Sequence, residues 1–242
     1  MAGIQSKSKS SAGEAPSRLS QAAENYLLSI FHLQEWGQRV TMTTLAEELR
    51  RLPIGEGLGT SLPSVGGMVR RMEREDLVVV SKKKEVELTA KGNVAAESIV
   101  RRHRLAERLV VDLLGLELFK AHVEAHRLEH AISPEMEALI EKRLGRPTTC
   151  PFGHPIPGSA YVAAKNAVTL DKAKPGTNVT IDRVPEDDQA LLEYLVTSDV
   201  VPGQKAEVKE AAPYRGVITM IVKGQDIVVS YEVAHRLWVV PA

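Results

Sequence analysis

The sequence predicts a mainly α-helical protein with small β parts, and three observations support this fold class. Much of residues 17–144 carries apolar residues at helical spacing. Within that region, two short helical segments precede a pair of β-branched runs around a lysine-rich tip, which is the order of a winged helix-turn-helix. Short β-rich pieces after a linker rich in proline and glycine indicate a small, strongly bent β-barrel.

The N-terminal region begins with a polar tail and continues as a helix. Residues 1–16 are small and polar, which predicts disorder. Residues 17–37 follow with a helical apolar pattern, and Gly37 is a typical helix end. The apolar positions of this pattern are Leu19, Ala23, Tyr26, Leu27, Ile30 and Leu33.

Two shorter helices and a hairpin come next. Residues 41–51 have a threonine cap and a short amphipathic pattern, whereas Pro53 and three glycines in residues 52–60 break the helix. Residues 61–77 predict another helix, because a serine cap is followed by a proline in the first turn. Residues 77–89 place β-branched runs on both sides of a triple-lysine tip, which predicts a β-hairpin.

The second region is helical. A long helix is predicted from about Ala90 to Leu114, followed by a break at Gly115 and another helix to about Ile132. A shorter helix is expected after Pro134.

The main domain boundary is expected at residues 145–158, which contain four prolines and three glycines. Beyond this boundary, short β-rich pieces separated by turn signals predict the barrel. These pieces are residues 177–184, 206–211, 216–222 and 226–233.

Charge is segregated along a chain whose formal net charge is zero. Residues 68–104 contain ten Lys/Arg against six Asp/Glu, a net of +4, and residues 116–141 contain two against six, a net of −4. A basic region beside an acidic one fits a chain that meets phosphate with one part and cations with another. Solvated helix faces that differ in charge are the alternative explanation.

The sequence also bears on the compartment. No apolar run approaches the roughly 18 to 20 residues that a bilayer crossing needs, and the first residues lack the apolar stretch of a signal peptide. The single cysteine, Cys150, agrees with a reducing environment. We therefore expect a cytoplasmic protein.

Residues 121–130, AHVEAHRLEH, concentrate side chains that bind metals. Four of them occupy an arc of roughly 100° on one helix, and charged residues occupy the opposite face, so the four point toward protein. Packing three imidazoles and a carboxylate together without a cation leaves polar groups poorly paired, which favours a metal site. Histidines buried at a subunit contact are the alternative. The four residues are His122, His126, Glu129 and His130.

A second pair and the donor types extend this hypothesis. His103 and Glu107 form an i, i+4 pair that could join His122 in a second site, although an ordinary surface pair is the alternative. Because Cys150 lies in the linker, the donors are imidazole and oxygen, which suit Mn²⁺, Fe²⁺, Co²⁺, Ni²⁺ or Zn²⁺ rather than Cu(I). We expect Mn²⁺ or Fe²⁺, with Co²⁺, Ni²⁺, Zn²⁺ or Cd²⁺ able to substitute in vitro.

Two stretches carry a resemblance to a known family. They are VRRHRLAERLVVDLLGLELFKAHVEAHRLEHAIS, residues 100–133, and PFGHPIPG, residues 151–158. These stretches, and most of the chain from about Ser20 onward, resemble the diphtheria-toxin-repressor family of metal-dependent transcriptional repressors. The resemblance implies a homodimer that binds a palindromic operator in double-stranded DNA when a divalent metal is bound, and that controls manganese or iron homeostasis. It implies neither a membrane partner nor a small-molecule substrate.

The resemblance also implies a domain order: an N-terminal winged helix-turn-helix, a helical dimerisation and metal-binding domain, and a small β-barrel of the Src-homology type. With the composition of the chain, it predicts five segments. They are a disordered tail (1–16), the DNA-binding domain (17–89), the helical domain (90–144), a Pro/Gly-rich linker (145–160) and the barrel (161–242).

Two metal sites follow from the resemblance. The positions that match the first site, between the first helix and the helix of the dimerisation domain, are Asn25, His126, Glu129 and His130. The positions that match the second site are His103, Glu107 and His122, with a barrel ligand at Asp188 or a neighbour within residues 186–189.

Several positions depart from the family pattern. His126 stands where iron-type members carry cysteine and manganese-type members carry glutamate, which leaves the metal preference open. Asn25 replaces a methionine or aspartate, so Glu24 or Gln21 could donate instead. Residues 52–60 lengthen the connection between the helices of the helix-turn-helix.

The second helix of a winged helix-turn-helix enters the major groove, and basic residues around it hold phosphates. Gly66 and Gly67 stand where the family carries polar residues, so much of the specificity is expected from DNA shape or from apolar contacts with thymine methyls. By position, Ser61, Pro63 and Ser64 approach bases, and Arg70, Arg71, Lys82, Lys83 and Lys84 approach the backbone.

An enzyme and a metal-buffering protein are the competing classes. Clusters of histidine and carboxylate also build hydrolytic metal centres. The sequence, however, shows no convincing separate general base, nucleophile motif or phosphate-binding glycine loop. A metal buffer would need neither the helix-turn-helix nor the lysine-tipped wing.

Overall fold

The structure is a computed structural model that describes residues 19–52 and 58–242. The expected disordered tail, residues 1–16, lies outside the described residues, as does most of the 52–60 insertion.

Three helices form the N-terminal region, and each begins at a hydroxyl side chain that accepts a backbone N–H. The sequence predicts the caps Thr41 and Ser61 of the second and third helices. The apolar faces of all three helices share one core, in which Leu27, Leu45 and Val69 have no solvent exposure. The helices are α1 (Gln21–Glu35, capped by Ser20), α2 (Met42–Arg51, capped by Thr41) and α3 (Leu62–Arg74, capped by Ser61).

The predicted hairpin follows α3. Strands β1 (Val78–Val80) and β2 (Val86–Leu88) pair antiparallel, with exposed lysines at the tip between them. A bridge between Thr41 and Glu85 holds the wing against the start of α2. Helices α1 to α3 and this hairpin form the winged helix-turn-helix.

Helix α4 (Ala90–Arg108) starts directly under the wing. A β-carbon at Gly92 would lie 1.8 Å from the carbonyl oxygen of Leu77, so only glycine allows this close approach. The helix continues into a π-helical turn at Leu109–Leu113. The chain then breaks at Gly115, whose φ of +72° is the left-handed conformation that favours glycine.

Two further helices complete the helical region, α5 (Ala121–Leu128) and α6 (Pro134–Arg143). Helix α5 is shorter than predicted, and His130 lies in the turn after it. Because α4 packs against both α1 and α5, side chains from all three helices can meet. Among the described helices, none combines the length and apolar character that a membrane crossing requires.

The C-terminal region is a six-stranded antiparallel sheet with the strand order β3-β8-β4-β5-β6-β7. Register shifts in the β4–β8 and β5–β6 pairs mark irregularities that bend such a sheet. The strands are β3 (Val168–Thr169), β4 (Asn178–Arg183), β5 (Lys205–Ala212), β6 (Val217–Val222), β7 (Gln225–Ser230) and β8 (Trp238–Pro241).

Two helices interrupt the sheet, and neither was predicted from the sequence. They are α7 (Gln189–Thr197) and the single turn α8 (Tyr231–Ala234). The core of the barrel includes Val110 and Ala121, so the barrel packs on the end of α4 and the start of α5. This packing brings the segment before α7 toward the helical domain.

Candidate metal centre

The predicted metal-binding residues other than Asp188 meet where α1, α4, α5 and the segment before α7 converge. His103, Glu107 and Glu129 have no solvent exposure. His122 and His126 are also buried. Burial of so many ionisable groups requires that they be paired or that they bind a cation.

The first ligand group comprises Asn25, His126, Glu129 and His130, and the structure brings its members together. Oε1 of Glu129 lies 3.2 Å from Nδ1 of His126 and 3.2 Å from Nε2 of His130. Oδ1 of Asn25, on α1, lies 3.1 Å from the same Nε2 of His130. Donor atoms from α1 and from the end of α5 therefore share one small space.

Glu24 supports this group from one side. Its Oε2 lies 2.6 Å from Nδ1 of His130, and its Oε1 accepts a hydrogen bond from Arg102 at 2.7 Å. Burial would raise the pKa of Glu24, but the hydrogen bonds from His130 and Arg102 lower it. With Nδ1 of His130 held by Glu24, its Nε2 is turned toward Asn25 and Glu129, which is the usual arrangement of a metal-binding histidine. Gln21, the other alternative donor, is exposed.

The second ligand group comprises His103, Glu107, His122 and Glu186. One donor atom from each of these residues lies within 4.8 Å of all the others. Oε1 of Glu107 lies 2.9 Å from Nε2 of His103 and 3.1 Å from Nδ1 of His122. The predicted i, i+4 pair on α4, His103 and Glu107, is thus buried. The alternative interpretation, an ordinary surface pair, is wrong.

The barrel contributes Glu186 to this group, whereas Asp188 lies outside it. The carboxylate of Asp188 caps α7 by accepting a hydrogen bond from the backbone N–H of Leu191 at 3.0 Å. Glu186 is a neighbour of the aligned position and is buried at 2% exposure, while Asp188 is exposed. The extended backbone before α7 turns these two side chains toward different surroundings.

The two ligand groups are contiguous. Ring nitrogens of His103, His122 and His126 also lie within 4.8 Å of one another, and Nε2 of His122 is 3.2 Å from Nε2 of His126. Nδ1 of His103 lies 2.6 Å from Oε2 of Glu129. The first and second groups therefore share neighbours rather than forming separate pockets.

The electrostatics divide the histidines into one charged and two neutral members. Burial lowers the pKa of His103, but Glu107 and Glu129 outweigh burial and raise it to about 10. The pKa of His122 falls to about 4 because burial outweighs its hydrogen bond with Glu107. Burial likewise lowers the pKa of His126. At neutral pH, protonated His103 therefore holds the two carboxylates together.

These residues fit a divalent cation. Oε2 of buried Glu107 has no hydrogen-bond partner among the described residues. In addition, protonated His103 supplies positive charge between the carboxylates of Glu107 and Glu129, where a bound cation would supply it instead. Imidazole nitrogens and carboxylate oxygens that converge around such positions are the donor set of a first-row divalent metal.

A further buried cluster borders the second ligand group, and the sequence analysis did not identify it. The guanidinium of Arg104, on α4, is paired with Glu35 of α1. Nδ1 of His154 lies 3.6 Å from Glu35, and Sγ of Cys150 lies 3.7 Å from Oε2 of Glu186. Contacts between distant segments carry no local sequence signal, which explains why they were missed.

The predicted DNA-contacting residues are exposed on the surface of the winged helix-turn-helix. The hydroxyl of Ser61 donates to that of Ser64 at 3.1 Å and accepts the backbone N–H of Ser64 at 3.3 Å. Nε of Arg71 donates to Glu75 at 2.8 Å. The structure brings together Ser61, Pro63, Ser64, Arg70 and Arg71 on α3, and places Lys82, Lys83 and Lys84 at the tip of the wing; all eight are exposed.

A winged helix-turn-helix joined to a buried histidine–carboxylate centre defines a DNA-binding protein controlled by metal. Sequence models of known families match nearly the whole chain. "Iron dependent repressor, N-terminal DNA binding domain" matches residues 18–86, and "Iron dependent repressor, metal binding and dimerisation domain" matches residues 89–158. The "FeoA domain" matches residues 168–241.

Individual proteins of similar sequence belong to the same class of repressors. The iron-dependent repressor IdeR of Mycobacterium leprae is 35% identical over 232 residues, which cover 90% of this chain and 96% of that protein. The diphtheria toxin repressor of Corynebacterium diphtheriae is 32% identical over 233 residues, with the same coverage of both chains, 90% and 96%. The chain belongs to the diphtheria-toxin-repressor family of metal-dependent transcriptional repressors.

Solved structures show the same architecture. A "manganese-dependent transcriptional repressor complex with manganese" superposes with a TM-score of 0.79 at 31% identity, covering 91% of this chain and 100% of that one. The manganese regulator SloR gives a TM-score of 0.75 at 28% identity, covering 91% and 98%. The predicted fold class, the homodimeric DNA-binding function and the assignment to a family of transcriptional repressors are thus confirmed.

Proposed function

We propose that a Mn²⁺ or Fe²⁺ ion held by Asn25, His126, Glu129 and His130 switches this repressor to its DNA-binding form. The observation that carries the proposal is the 3.1 Å contact between Oδ1 of Asn25 on α1 and Nε2 of His130 beyond α5. An ion at this contact joins the winged helix-turn-helix to the helical domain. Glu24 orients His130 in this arrangement.

A second ion is proposed at His103, Glu107, His122 and Glu186. Three of these ligands come from α4 and α5, and Glu186 comes from the barrel. Binding there ties the barrel to the helical domain. Glu186 replaces Asp188 as the proposed barrel ligand because the carboxylate of Asp188 is occupied with the N-terminus of α7.

The chemistry of the donors supports Mn²⁺ or Fe²⁺ as the working ion. Cys150 is the single cysteine of the chain, and burial raises the pKa of its thiol well above the usual value. A thiol that keeps its proton is a poor metal ligand. Nitrogen and oxygen donors remain, which suit Mn²⁺ and Fe²⁺; Co²⁺, Ni²⁺, Zn²⁺ or Cd²⁺ are expected to bind in vitro.

The switch works by linkage. Because Asn25 lies on the helix that forms the core of the winged helix-turn-helix, an ion between α1 and the end of α5 fixes the orientation of α3 relative to the dimerisation domain. In a homodimer, that orientation sets the spacing of the two recognition helices against a palindromic operator. Metal and DNA then favour the same state, with a reciprocal coupling of typically about 1 to 3 kcal/mol.

The domain boundaries, the cytoplasmic location and the DNA contacts belong to the same proposal. The tail, DNA-binding domain, helical domain, linker and barrel are placed at residues 1–16, 17–89, 90–144, 145–160 and 161–242. The eight exposed residues on α3 and the wing tip are proposed to contact the operator.

The experiment is a thermodynamic cycle on the full-length dimer. Duplexes are first enriched from a random library with Mn²⁺-loaded protein, and their affinity is then measured in chelator, Mn²⁺, Fe²⁺ and Zn²⁺, with the iron arm kept anaerobic. We expect affinity to rise by about 5- to 150-fold with metal, the range that typical allosteric coupling supplies. Equal affinity in chelator and in excess metal would sink the proposal.

A further inference from the structure

Helix α3 contains two adjacent interior glycines, Gly66 and Gly67, in the element that faces the DNA. Glycine is among the least favourable residues inside a helix, because it loses the most backbone freedom when the chain folds. Such a residue in the recognition helix calls for a physical reason at each position.

The fold itself gives no reason for Gly67. Its φ is not in the left-handed region that favours glycine. A β-carbon added at Gly67 would meet no atom within 4 Å among the described residues, so no neighbouring part of the chain excludes a side chain. Gly92 is the opposite case, since a β-carbon there would collide with the carbonyl oxygen of Leu77.

Gly67 lies in the middle of the outward face of α3. The buried side of the helix is formed by Val65, Val69 and Met72. At 100° per residue, Gly67 lies roughly 140° to 200° around the helix from these three positions. It is exposed and therefore belongs to the surface that a DNA duplex would meet first.

Side-chain size changes along this outward face. In the first half of α3, the exposed residues on the face of Gly67 are short, namely Pro63 and Ser64. Leu62 is also exposed, but it lies roughly 140° around the helix from Gly67. In the second half, exposed arginines follow, among them Arg70 and Arg74. Short side chains in the first half and long cationic side chains in the second half suit a recognition helix. The start of such a helix lies deep in the major groove, and its arginines reach the phosphates.

We propose that Gly67 is a close-approach site, at which the floor of the operator's major groove contacts the main chain of α3 too closely for any side chain. This inference rests on the DNA-binding function and adds to it the residue that sets how deeply α3 is inserted. Contact with the Cα of Gly67 is apolar and shape-dependent, and it suits a base edge such as a thymine methyl. A β-carbon at residue 67 would hold the helix away from that edge.

Gly66 provides a matched control in the same helix. It is one residue away, partly buried at the edge of the face, and an added β-carbon would meet only Nη1 of Arg70, at 3.5 Å. Gly66→Ala and Gly67→Ala therefore bring the same gain in helix propensity. They differ in the direction of the added methyl group and in its contact with the end of the Arg70 side chain.

The test measures stability and DNA affinity for both variants of the full-length Mn²⁺-loaded dimer. The probes are a duplex enriched from a random library with the unmodified protein, and an unrelated duplex of equal length. Both variants should raise the melting temperature, by about 2 to 4 °C each. Gly67→Ala should weaken binding to the enriched duplex by about tenfold or more, whereas Gly66→Ala should stay within about threefold.

Affinity for the unrelated duplex should change little in either variant, because contacts with phosphates supply non-specific binding. The inference is overturned if Gly67→Ala is stabilised and keeps its affinity for the enriched duplex. Equal weakening by both variants would also overturn it, because the cause would then be helix rigidity. If the unmodified protein enriches no sequence with metal, the proposed function fails first, and the role of Gly67 fails with it.

Discussion

His103 and Glu129 connect the two ligand groups directly, with Nδ1 of His103 2.6 Å from Oε2 of Glu129 and no solvent exposure at either residue. Glu129 belongs to the first ligand group and His103 to the second. Nε2 of His103 lies 2.9 Å from Glu107 as well, so the imidazolium bridges two carboxylates. In the absence of metal, a proton on His103 supplies part of the positive charge that a bound ion would bring.

The first prediction is that metal binding at the second ligand group releases a proton. The pKa of His103 is raised to about 10, so this residue is protonated at neutral pH, whereas a metal ligand must be neutral. His122, with a pKa of about 4, is already neutral. Affinity for Mn²⁺ at this group should therefore rise with pH by about tenfold per unit while His103 remains protonated without metal.

Calorimetry in buffers of different ionisation enthalpy measures this proton directly. The range from about pH 7.5 to about pH 8.5 is suitable, because Glu186, whose pKa burial raises to about 7, is then mostly deprotonated. A His103→Gln variant should bind one ion fewer and lose the proton release. If the unmodified protein neither takes up nor releases a proton when it binds the ion, His103 is not the protonated ligand.

The second prediction concerns the stability of the metal-free protein. The pKa of His103 is higher in the folded state than its ordinary value of 6.5, so its protonation stabilises the fold fully below about pH 6.5. That contribution is lost as the pH rises toward about 10. Denaturant unfolding in chelator should show a falling free energy of unfolding across this interval, and excess Mn²⁺ should reduce the fall. A pH-independent free energy between these limits would contradict the bridge.

The third prediction separates the first ligand group from the fold. His126→Ala should leave a folded dimer but abolish the effect of metal on DNA binding, because it removes a donor 3.2 Å from Glu129. We expect the loss in affinity for the ion to exceed the roughly 10- to 100-fold typical of removing an outer-shell partner. Glu124→Ala is the control, because Glu124 is half-buried on the same helix and its carboxylate pairs with Arg127 rather than with a metal-binding residue; this variant should behave as the unmodified protein. Full metal response in His126→Ala would remove that residue from the site.

The fourth prediction compares two acidic residues before α7. Glu186→Gln should weaken binding of the second ion by about 10- to 100-fold, since a carboxylate ligand becomes a neutral amide. Asp188→Asn removes the same charge two residues away, but asparagine caps a helix about as well as aspartate, so stability and metal affinity should both persist. Metal content and competition with a chromophoric chelator measure the difference. Equal loss in both variants would indicate a general charge effect.

The sequence could predict contacts that lie within one element. The i, i+4 spacing on α5 predicts that His122 and His126 share a face, and hydroxyl caps predict where α2 and α3 begin. The π-helical turn and Gly115 end α4 near the predicted break. The helix α7 was missed although its segment, QALLEYLVT, contains mostly strong helix formers, because it is short and lies among predicted strands.

The sequence alone therefore predicted most of the elements of residues 17–144, the histidine face and the family. The tertiary structure was needed to show that Glu186, rather than Asp188, contacts the second ligand group. It was also needed to show that Glu24 orients His130. It also showed that His103 bridges to Glu129. The difference lies in the separation of the partners along the chain. Helix periodicity fixes neighbours three or four residues apart. Partners 26 to 106 residues apart meet only because the packed cores bring their elements together.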